Sequence, residues 1–342
     1  MTELSAAPSI EPPSWPIGRR STLVADPQRD GRLLGVDVWY PAVDSDAPTS
    51  EYELFPGFSF AAAAARHQPP PAPGLFPLIV FSHGRTGMRF AYSLLCEALA
   101  ARGSIVVSAD HPGDGLTDWL LGSFVDDRTN EMNRVGDAHA LLAELRPGGT
   151  VLPADLIDAI DHDRVVLAGH SYGAYTALAT SAGARGVPAH DRVRAAVGLQ
   201  PYTRSMSDGA LGRVTVPTLL IVSEDDITTP ASSDADRPWA LLRGEPTWRV
   251  DLAGAGHQAA SDMGLYAEFA RHLPMLPQFA RDYLGASADA VGSGSRPWRE
   301  LLATQVGVMW AFLQMVFDLD APAGAAEARR LGALPDVTLR IR

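Results

Sequence analysis

The 342-residue chain contains no lysine; all 28 of its basic residues are arginines. That absence excludes a Schiff-base or pyridoxal-lysine enzyme, a lysine general base and the lysine-dependent phosphate loop of nucleotide hydrolases. Cysteine is nearly absent as well. One thiol, Cys96, leaves no room for an internal disulfide, a zinc ribbon or a Cys-x-x-Cys redox pair. Within Leu94-Leu95-Cys96-Glu97-Ala98-Leu99 it reads as a buried helix residue. Positive charge is in deficit too. A net charge of −12 argues against a nucleic-acid partner, because such binding draws its affinity from clustered cations. Long apolar runs are missing: Val306 to Phe317 falls well short of the roughly 20 residues that cross a bilayer, so no transmembrane segment is expected. Met1 to Pro16 carries acids and prolines where a secretory signal would need a basic start and an apolar run, which points to a cytoplasmic protein.

With 46% apolar and 20% charged residues the composition is that of a globular protein with a sizeable core. Leu78 to Ser82, Ser104 to Ala109, Arg164 to Ala168 and Thr218 to Ser223 are short apolar runs, each followed by a glycine or acidic turn and a helical pattern. Continuous runs of this kind fit strands covered on both faces, as in a parallel sheet. Helices are expected at 88–102, 130–145 and 172–184, so strand and helix alternate. Thr22 to Ala25 and Leu33 to Tyr40 read as an antiparallel edge, and Val193 to Leu199 and Thr247 to Leu252 as further strands. The expectation is an α/β fold with a mostly parallel central sheet of about eight strands and helices on both faces. Trp298 to Phe317 spaces its apolar residues for a last helix packed on that sheet. The chain divides into an extension at 1–18, one α/β domain at 19–320 and a tail at 321–342. Within the domain, 59–74, with its alanine run and Pro69, Pro70, Pro71 and Pro73, reads as a surface loop. Residues 258–296 read as an insertion before the last helix.

Val165 to Tyr175 joins an apolar strand, the turn Gly169-His170-Ser171-Tyr172-Gly173 and the start of a helix. In such a nucleophile elbow the serine occupies a strained turn, and side chains two positions to either side would collide with neighbouring strands. Gly169 and Gly173 meet that requirement. Ser171 is then the candidate nucleophile, and a serine hydroxyl needs a histidine to take its proton and a carboxylate to orient that histidine. The chain order in this fold is serine, acid, histidine. Of the later histidines, His190 sits in a polar turn and His272 in an amphipathic pattern. His257 follows a strand and the small-residue loop Ala253-Gly254-Ala255-Gly256, which makes it the candidate base. For the acid, the strand Thr218 to Ser223 ends in Glu224-Asp225-Asp226. Asp226 suits the turn best, with Asp225 the near competitor and Glu224 third. Backbone donors for the oxyanion are expected from Tyr172, directly after the nucleophile, and from Arg85 in the loop Ser82-His83-Gly84-Arg85-Thr86-Gly87. His83 itself reads as a loop-bracing hydrogen bonder.

These residues resemble the α/β-hydrolase superfamily, and more closely its platelet-activating-factor acetylhydrolase-like and dienelactone-hydrolase-like esterases. Pro77 to Gly84, Ser108-Ala109-Asp110-His111, the elbow, and Gly256-His257-Gln258 with a downstream Asp262 carry the likeness, over about Leu33 to Phe317. Animal-type acetylhydrolases place their acid after the strand that follows the elbow helix, where this chain has Gly198-Leu199-Gln200-Pro201 and no carboxylate. The acid is therefore expected from the next strand, as in the dienelactone-hydrolase and polyester-hydrolase relatives. The resemblance implies hydrolysis of a small-molecule or amphiphilic carboxylic ester through an acyl-enzyme, with no cofactor and no metal. An acyltransferase or an amidase or peptidase could use the same triad, and a non-catalytic binding homologue would have no reason to retain it. Gly87, Met88, His111, Trp119, Tyr202 and Gln258 are candidate pocket residues, with Trp119 and Tyr202 equally readable as packing aromatics.

Overall fold

A computed structural model of the chain describes residues 15–55, 58–271, 278, 290–292 and 296–342. Its strands are β1 (Ile17–Asp26), β2 (Arg32–Pro41), β3 (Thr49–Phe55), β4 (Phe58–His67), β5 (Phe76–Ser82), β6 (Ile105–Ala109), β7 (Ile160–His170), β8 (Ala195–Leu199), β9 (Thr218–Ser223), β10 (Thr247–Leu252) and β11 (Val337–Ile341). They form one continuous sheet in the order β11-β10-β9-β8-β7-β5-β6-β2-β1-β4-β3. From β10 to β6 every neighbouring pair is parallel, while β1 with β2, β2 with β6, β3 with β4 and β10 with β11 pair antiparallel.

The helices are α1 (Ser93–Ala101), α2 (Leu116–Leu121), α3 (Asp127–Glu144), α4 (Ala154–Asp158), α5 (Tyr172–Ala182), α6 (Asp208–Leu211), α7 (Ala231–Asp234), α8 (Asp236–Leu241), α9 (Met263–Arg271), α10 (Trp298–Val316) and α11 (Ala321–Gly332). Strand periodicity decides which face each covers. On β5, Ile79 and Phe81 join a core with Leu95 and Leu99 of α1 and Val306, Met309 and Leu313 of α10. The alternate residues Leu78 and Val80 join Leu141 and Leu142 of α3 on the opposite face. Every residue of β5 is buried, which is why it reads as an unbroken apolar run rather than an alternating one. The parallel strands all present their C-terminal ends on one edge, where ligands of such sheets bind.

Three sequence expectations need correction. The sheet has eleven strands among the described residues rather than about eight. Residues 59–67 of the expected surface loop belong to β4, paired with β3; only the proline stretch after it is irregular. Alanine carries little strand preference, and tertiary contacts fix this segment: Phe60, Ala62 and Ala65 are buried, and the Glu97 carboxylate of α1 accepts the Ala64 and Ala65 N–H groups at 2.7 and 3.1 Å. The expected tail at 321–342 contains α11 and the edge strand β11. Residues 1–14 of the expected extension lie outside the described residues, and Ile17 and Gly18 already belong to β1. The segment 258–296 contains α9, and most residues between Arg271 and Arg296 are likewise outside the described ones. No helix among the described residues is long and apolar enough to cross a membrane.

Candidate active site

Strand β7 ends at His170 and α5 begins at Tyr172, so Ser171 alone makes the turn between them. Its φ of 53° and ψ of −117° place a non-glycine residue in left-handed backbone, a strain on the order of 1–3 kcal/mol. Two close approaches make glycine obligatory around it. A Cβ at Gly169 would stand 2.3 Å from the main chain of Gly173, and one at Gly173 would stand 1.9 Å from the Ser82 carbonyl oxygen at the end of β5. The turn is held from β8 and the loop beyond it: Ser171 N–H donates to the Leu199 carbonyl at 2.9 Å, and the Ser171 carbonyl accepts from Tyr202 N–H at 3.1 Å.

The loop after β10 brings His257 Nε2 to 3.0 Å from Ser171 Oγ, and its Nδ1 lies 2.7 Å from Asp226 Oδ2. Of the three consecutive acids, Glu224 and Asp225 are exposed and Asp226 is 5% exposed. Asp226 Oδ1 accepts the N–H groups of Thr228 and Thr229, both at 2.8 Å, and Oδ2 accepts the Thr229 hydroxyl at 2.7 Å. Burial by itself would raise this carboxyl, but His257 and the Thr229 donors outweigh it and hold its pKa at about 2. An ionised carboxylate only accepts, so the proton sits on Nδ1 and Nε2 is left bare to receive the Ser171 hydroxyl proton. His190 is elsewhere, packed edge-on against the His139 ring at 4.8 Å. His272 lies outside the described residues.

Tyr172 N–H, at the first position of α5, and Arg85 N–H donate to no other group among the described residues. The Arg85 donor is oriented from behind. The Gly84 carbonyl accepts from His83 Nδ1 at 2.7 Å and Gly87 N–H at 3.1 Å, and a trans peptide then turns the Arg85 N–H in the opposite direction. The wholly buried Arg134 donates to the His83 carbonyl at 2.8 Å and, through Nε, to Asp114 at 2.8 Å, fixing the preceding peptide as well. Burial and the Arg134 charge push the His83 imidazole well below the usual histidine range, so it braces the loop as a neutral ring.

The model of the alpha/beta hydrolase family matches residues 79–340, from within β5 to within β11. The chain belongs to that family. Among curated proteins, the platelet-activating factor acetylhydrolases of Bos taurus and Canis lupus familiaris are 27% identical over 184 residues and 25% identical over 188 residues. Each match takes in 44% of this chain and 40% of the relative, so this hydrolase-family chain spans well under half the length of those proteins. The solved ferulic acid esterase from Streptomyces cinnamoneus matches with a TM-score of 0.64 and 22% identity over 91% of both chains, a likeness of fold.

The pocket candidates of this α/β hydrolase divide. Tyr202 is half-buried beside the elbow and stacks on Tyr172 at 4.7 Å between ring centroids. Arg85 lies over the Tyr172 and Phe124 rings at 5.6 and 5.4 Å, with its charge balanced by Asp127 and Asp114. Gly87 and Met88 are partly exposed on the loop after β5. Gly87 accepts the Leu116 N–H of α2, the helix that carries Trp119, which is 39% exposed. Gln258 is half-buried next to His257. His111 is a correction: its ring is wholly buried between Asp137 at 2.9 Å and Ser82 at 3.2 Å, so it braces the sheet end instead of facing a ligand. An apolar recess lined by Phe60, Leu94, Leu265, Phe269 and Leu302 includes none of Ser171, Asp226 and His257. Among the described residues no cluster of His, Cys, Asp or Glu is placed to hold a metal ion.

Gln200 directly follows β8, at the place where the resemblance to animal-type acetylhydrolases would have put an acid. Its side-chain amide donates to Ser223 Oγ at 2.9 Å and to Gln305 at 3.2 Å, and its main-chain carbonyl oxygen lies 3.1 Å from the Thr229 hydroxyl. Sequence reasoning did not single out Thr229, Arg134, Tyr92 or the side chain of His170. Arg134 left one legible trace, a charge in helical register with the apolar Ala138 and Leu141 of α3.

Proposed function

We propose that this chain is a serine hydrolase that cleaves carboxylic esters through an acyl-enzyme. The observation that carries the reading is the linear chain from Ser171 Oγ through His257 to Asp226, at 3.0 and 2.7 Å, with the serine alone on a strained elbow. Ser171 Oγ attacks the acyl carbonyl while its proton passes to His257 Nε2. The oxyanion that forms is received by the N–H groups of Tyr172 and Arg85, and Asp226 stabilises the imidazolium. Collapse of the intermediate expels the alcohol, which takes the proton from Nε2. Water, deprotonated by the same nitrogen, then attacks the acyl-serine and releases the acid.

The named activities of the acetylhydrolase relatives and of the esterase of like fold point to esters rather than amides. The Tyr172–Tyr202 stack offers aromatic surface beside the nucleophile, which suits an acyl or aryl group. Hydrolysis of p-nitrophenyl esters from acetyl to long acyl chains, with a feruloyl ester as the aromatic arm, tests the reading. Turnover is expected for at least one class and is lost in Ser171→Ala; turnover retained in that variant would place the nucleophile elsewhere. Addition of alcohol and amine acceptors separates hydrolysis from acyl transfer.

A further inference from the structure

Position 170, the variable residue between Gly169 and Ser171 in the elbow motif, has no part in the proton-transfer steps above, yet its side chain is wholly buried at the centre of the site. Its Nε2 lies 2.6 Å from the main-chain carbonyl of His257, and its Nδ1 lies 2.7 Å from the Tyr92 hydroxyl. That hydroxyl in turn accepts the Gly84 N–H at 3.2 Å. The carbonyl end dictates the protonation pattern. A carbonyl oxygen can only accept, so Nε2 bears the proton; burial and the neighbouring His257 push the ring's pKa down to about 3, so Nδ1 is bare and accepts from Tyr92.

The result is one directed chain: Gly84 N–H to Tyr92, Tyr92 O–H to His170, His170 N–H to the His257 carbonyl. Its two ends are the loop that offers the Arg85 N–H and the loop that carries the base. The packing is close as well. The His170 and His257 ring centroids are 4.7 Å apart, and a Cβ at Gly84 would stand 2.9 Å from His170 Nδ1 and 3.3 Å from the Ser171 Cβ.

We infer that His170 is a positioning residue, a neutral imidazole that, with Tyr92, locks the oxyanion loop and the base loop to each other across the elbow. The inference rests on the ester-hydrolase reading of Ser171. The Asp226 bond fixes the direction of the His257 ring but leaves the main chain of its loop to be placed by other contacts. Backbone bonds from Asp225 N–H to the Ala255 carbonyl and from Gly256 and Gln258 N–H to the Val291 and Ala290 carbonyls hold the flanks of that loop. The His170 bond ties the His257 peptide itself to the segment that carries the nucleophile, so serine, base and oxyanion donor share one support.

The test is steady-state kinetics on the full chain, with the best ester of the panel and thermal unfolding measured alongside. His170→Leu is expected to lower kcat by on the order of 10- to 100-fold with KM nearly unchanged, the signature of misplaced groups rather than lost substrate binding. His170→Gln, which keeps an N–H donor of similar reach, recovers part of that loss. Tyr92→Phe lowers kcat less, and His170→Leu combined with Tyr92→Phe costs little more than His170→Leu alone, because both act on one chain. If the leucine variant does not fold, Tyr92→Phe, which removes a single hydroxyl, reads the same link by its kcat. Wild-type kcat in a folded leucine or Tyr92→Phe variant, or a loss that glutamine does not relieve, overturns the inference. Ser171→Ala separates the two readings. Activity surviving in that variant removes the hydrolase reading itself, whereas an inactive Ser171→Ala beside a fully active His170→Leu removes only the positioning role.

Discussion

Asp225 and Asp226 are neighbours in the chain with opposite fates: Asp226 Oδ2 lies 2.7 Å from His257 Nδ1, and Asp225 faces solvent. The N–H of Asp225 is tied to the Ala255 carbonyl in the loop that carries the base, which turns the next residue inward. Asp226→Asn is therefore expected to lower kcat roughly a thousandfold to ten-thousandfold, because an amide can donate to Nδ1 and leave the proton on Nε2, facing the serine. Asp225→Asn leaves kcat within about twofold, as exposed substitutions usually do. Ester hydrolysis by the two purified variants checks both, and the reverse order would exchange the assignments.

Thr229 holds the same carboxylate with its N–H and its hydroxyl, at 2.8 and 2.7 Å. A hydrogen bond to a charged group contributes about 1.5–3 kcal/mol. In Thr229→Val the backbone donors remain, so a fall in kcat of about tenfold is expected, with the Asp226 carboxyl titrating above its present value of about 2. Kinetics give the first result and carboxyl NMR titration the second; an unshifted carboxyl would mean that Thr229 is not what holds Asp226 ionised.

Gly173 has no space for a side chain, since its Cβ would overlap the Ser82 carbonyl. Backbone cannot yield as a flexible side chain can. Gly173→Ala should destabilise the fold by more than ~4 kcal/mol, read by denaturant unfolding, whereas a change under about 1 kcal/mol would mean that α5 and β5 can separate at little cost.

The elbow was legible because its requirements are local: an apolar strand, two glycines at fixed spacing and a helix start all lie within a dozen residues. His257 was singled out by elimination among three histidines, and it lies 3.0 Å from Ser171 Oγ. Which of Glu224, Asp225 and Asp226 turns inward depends on contacts with the loop beyond β10, and local sequence leaves that open. Tyr92 and Arg134 escaped for the same reason, since His170 and the His83 carbonyl lie 78 and 51 residues from them in the chain. Thr229 is only three residues from Asp226, but its hydrogen bonds matter only once that carboxylate is known to turn inward. Strand β4 was hidden because its alanines form a strand only through pairing with β3 and β1 and through the Glu97 carboxylate. Strand β11 alternates apolar and polar residues, Val337-Thr338-Leu339-Arg340-Ile341, but over only five largely exposed residues at the chain's end, too short a pattern to set it apart from a tail.

Asp262 joins the base loop to the start of α1, accepting the Ser93 N–H and hydroxyl, each at 2.7 Å. Burial raises its pKa, the Ser93 donors oppose the rise, and the outcome is about 7. From about pH 4, where the unfolded carboxyl ionises, up to about 7, the native state keeps a proton that the unfolded state has released. Stability therefore falls as pH rises through that window. Asp262→Asn removes this contribution, so wild-type stability relative to the variant is expected to be greater at pH 5 than at pH 8. Urea unfolding of both proteins at the two pH values measures it, and an equal difference at both would contradict the assignment.

That Ser171 is a nucleophile activated by His257 is tested most directly by intact-mass and peptide mass spectrometry after treatment with a fluorophosphonate. One adduct per chain is predicted, on Ser171, forming orders of magnitude more slowly in His257→Ala and absent in Ser171→Ala. A folded wild-type protein that takes no label, or takes it on another residue, would contradict the assignment of the nucleophile.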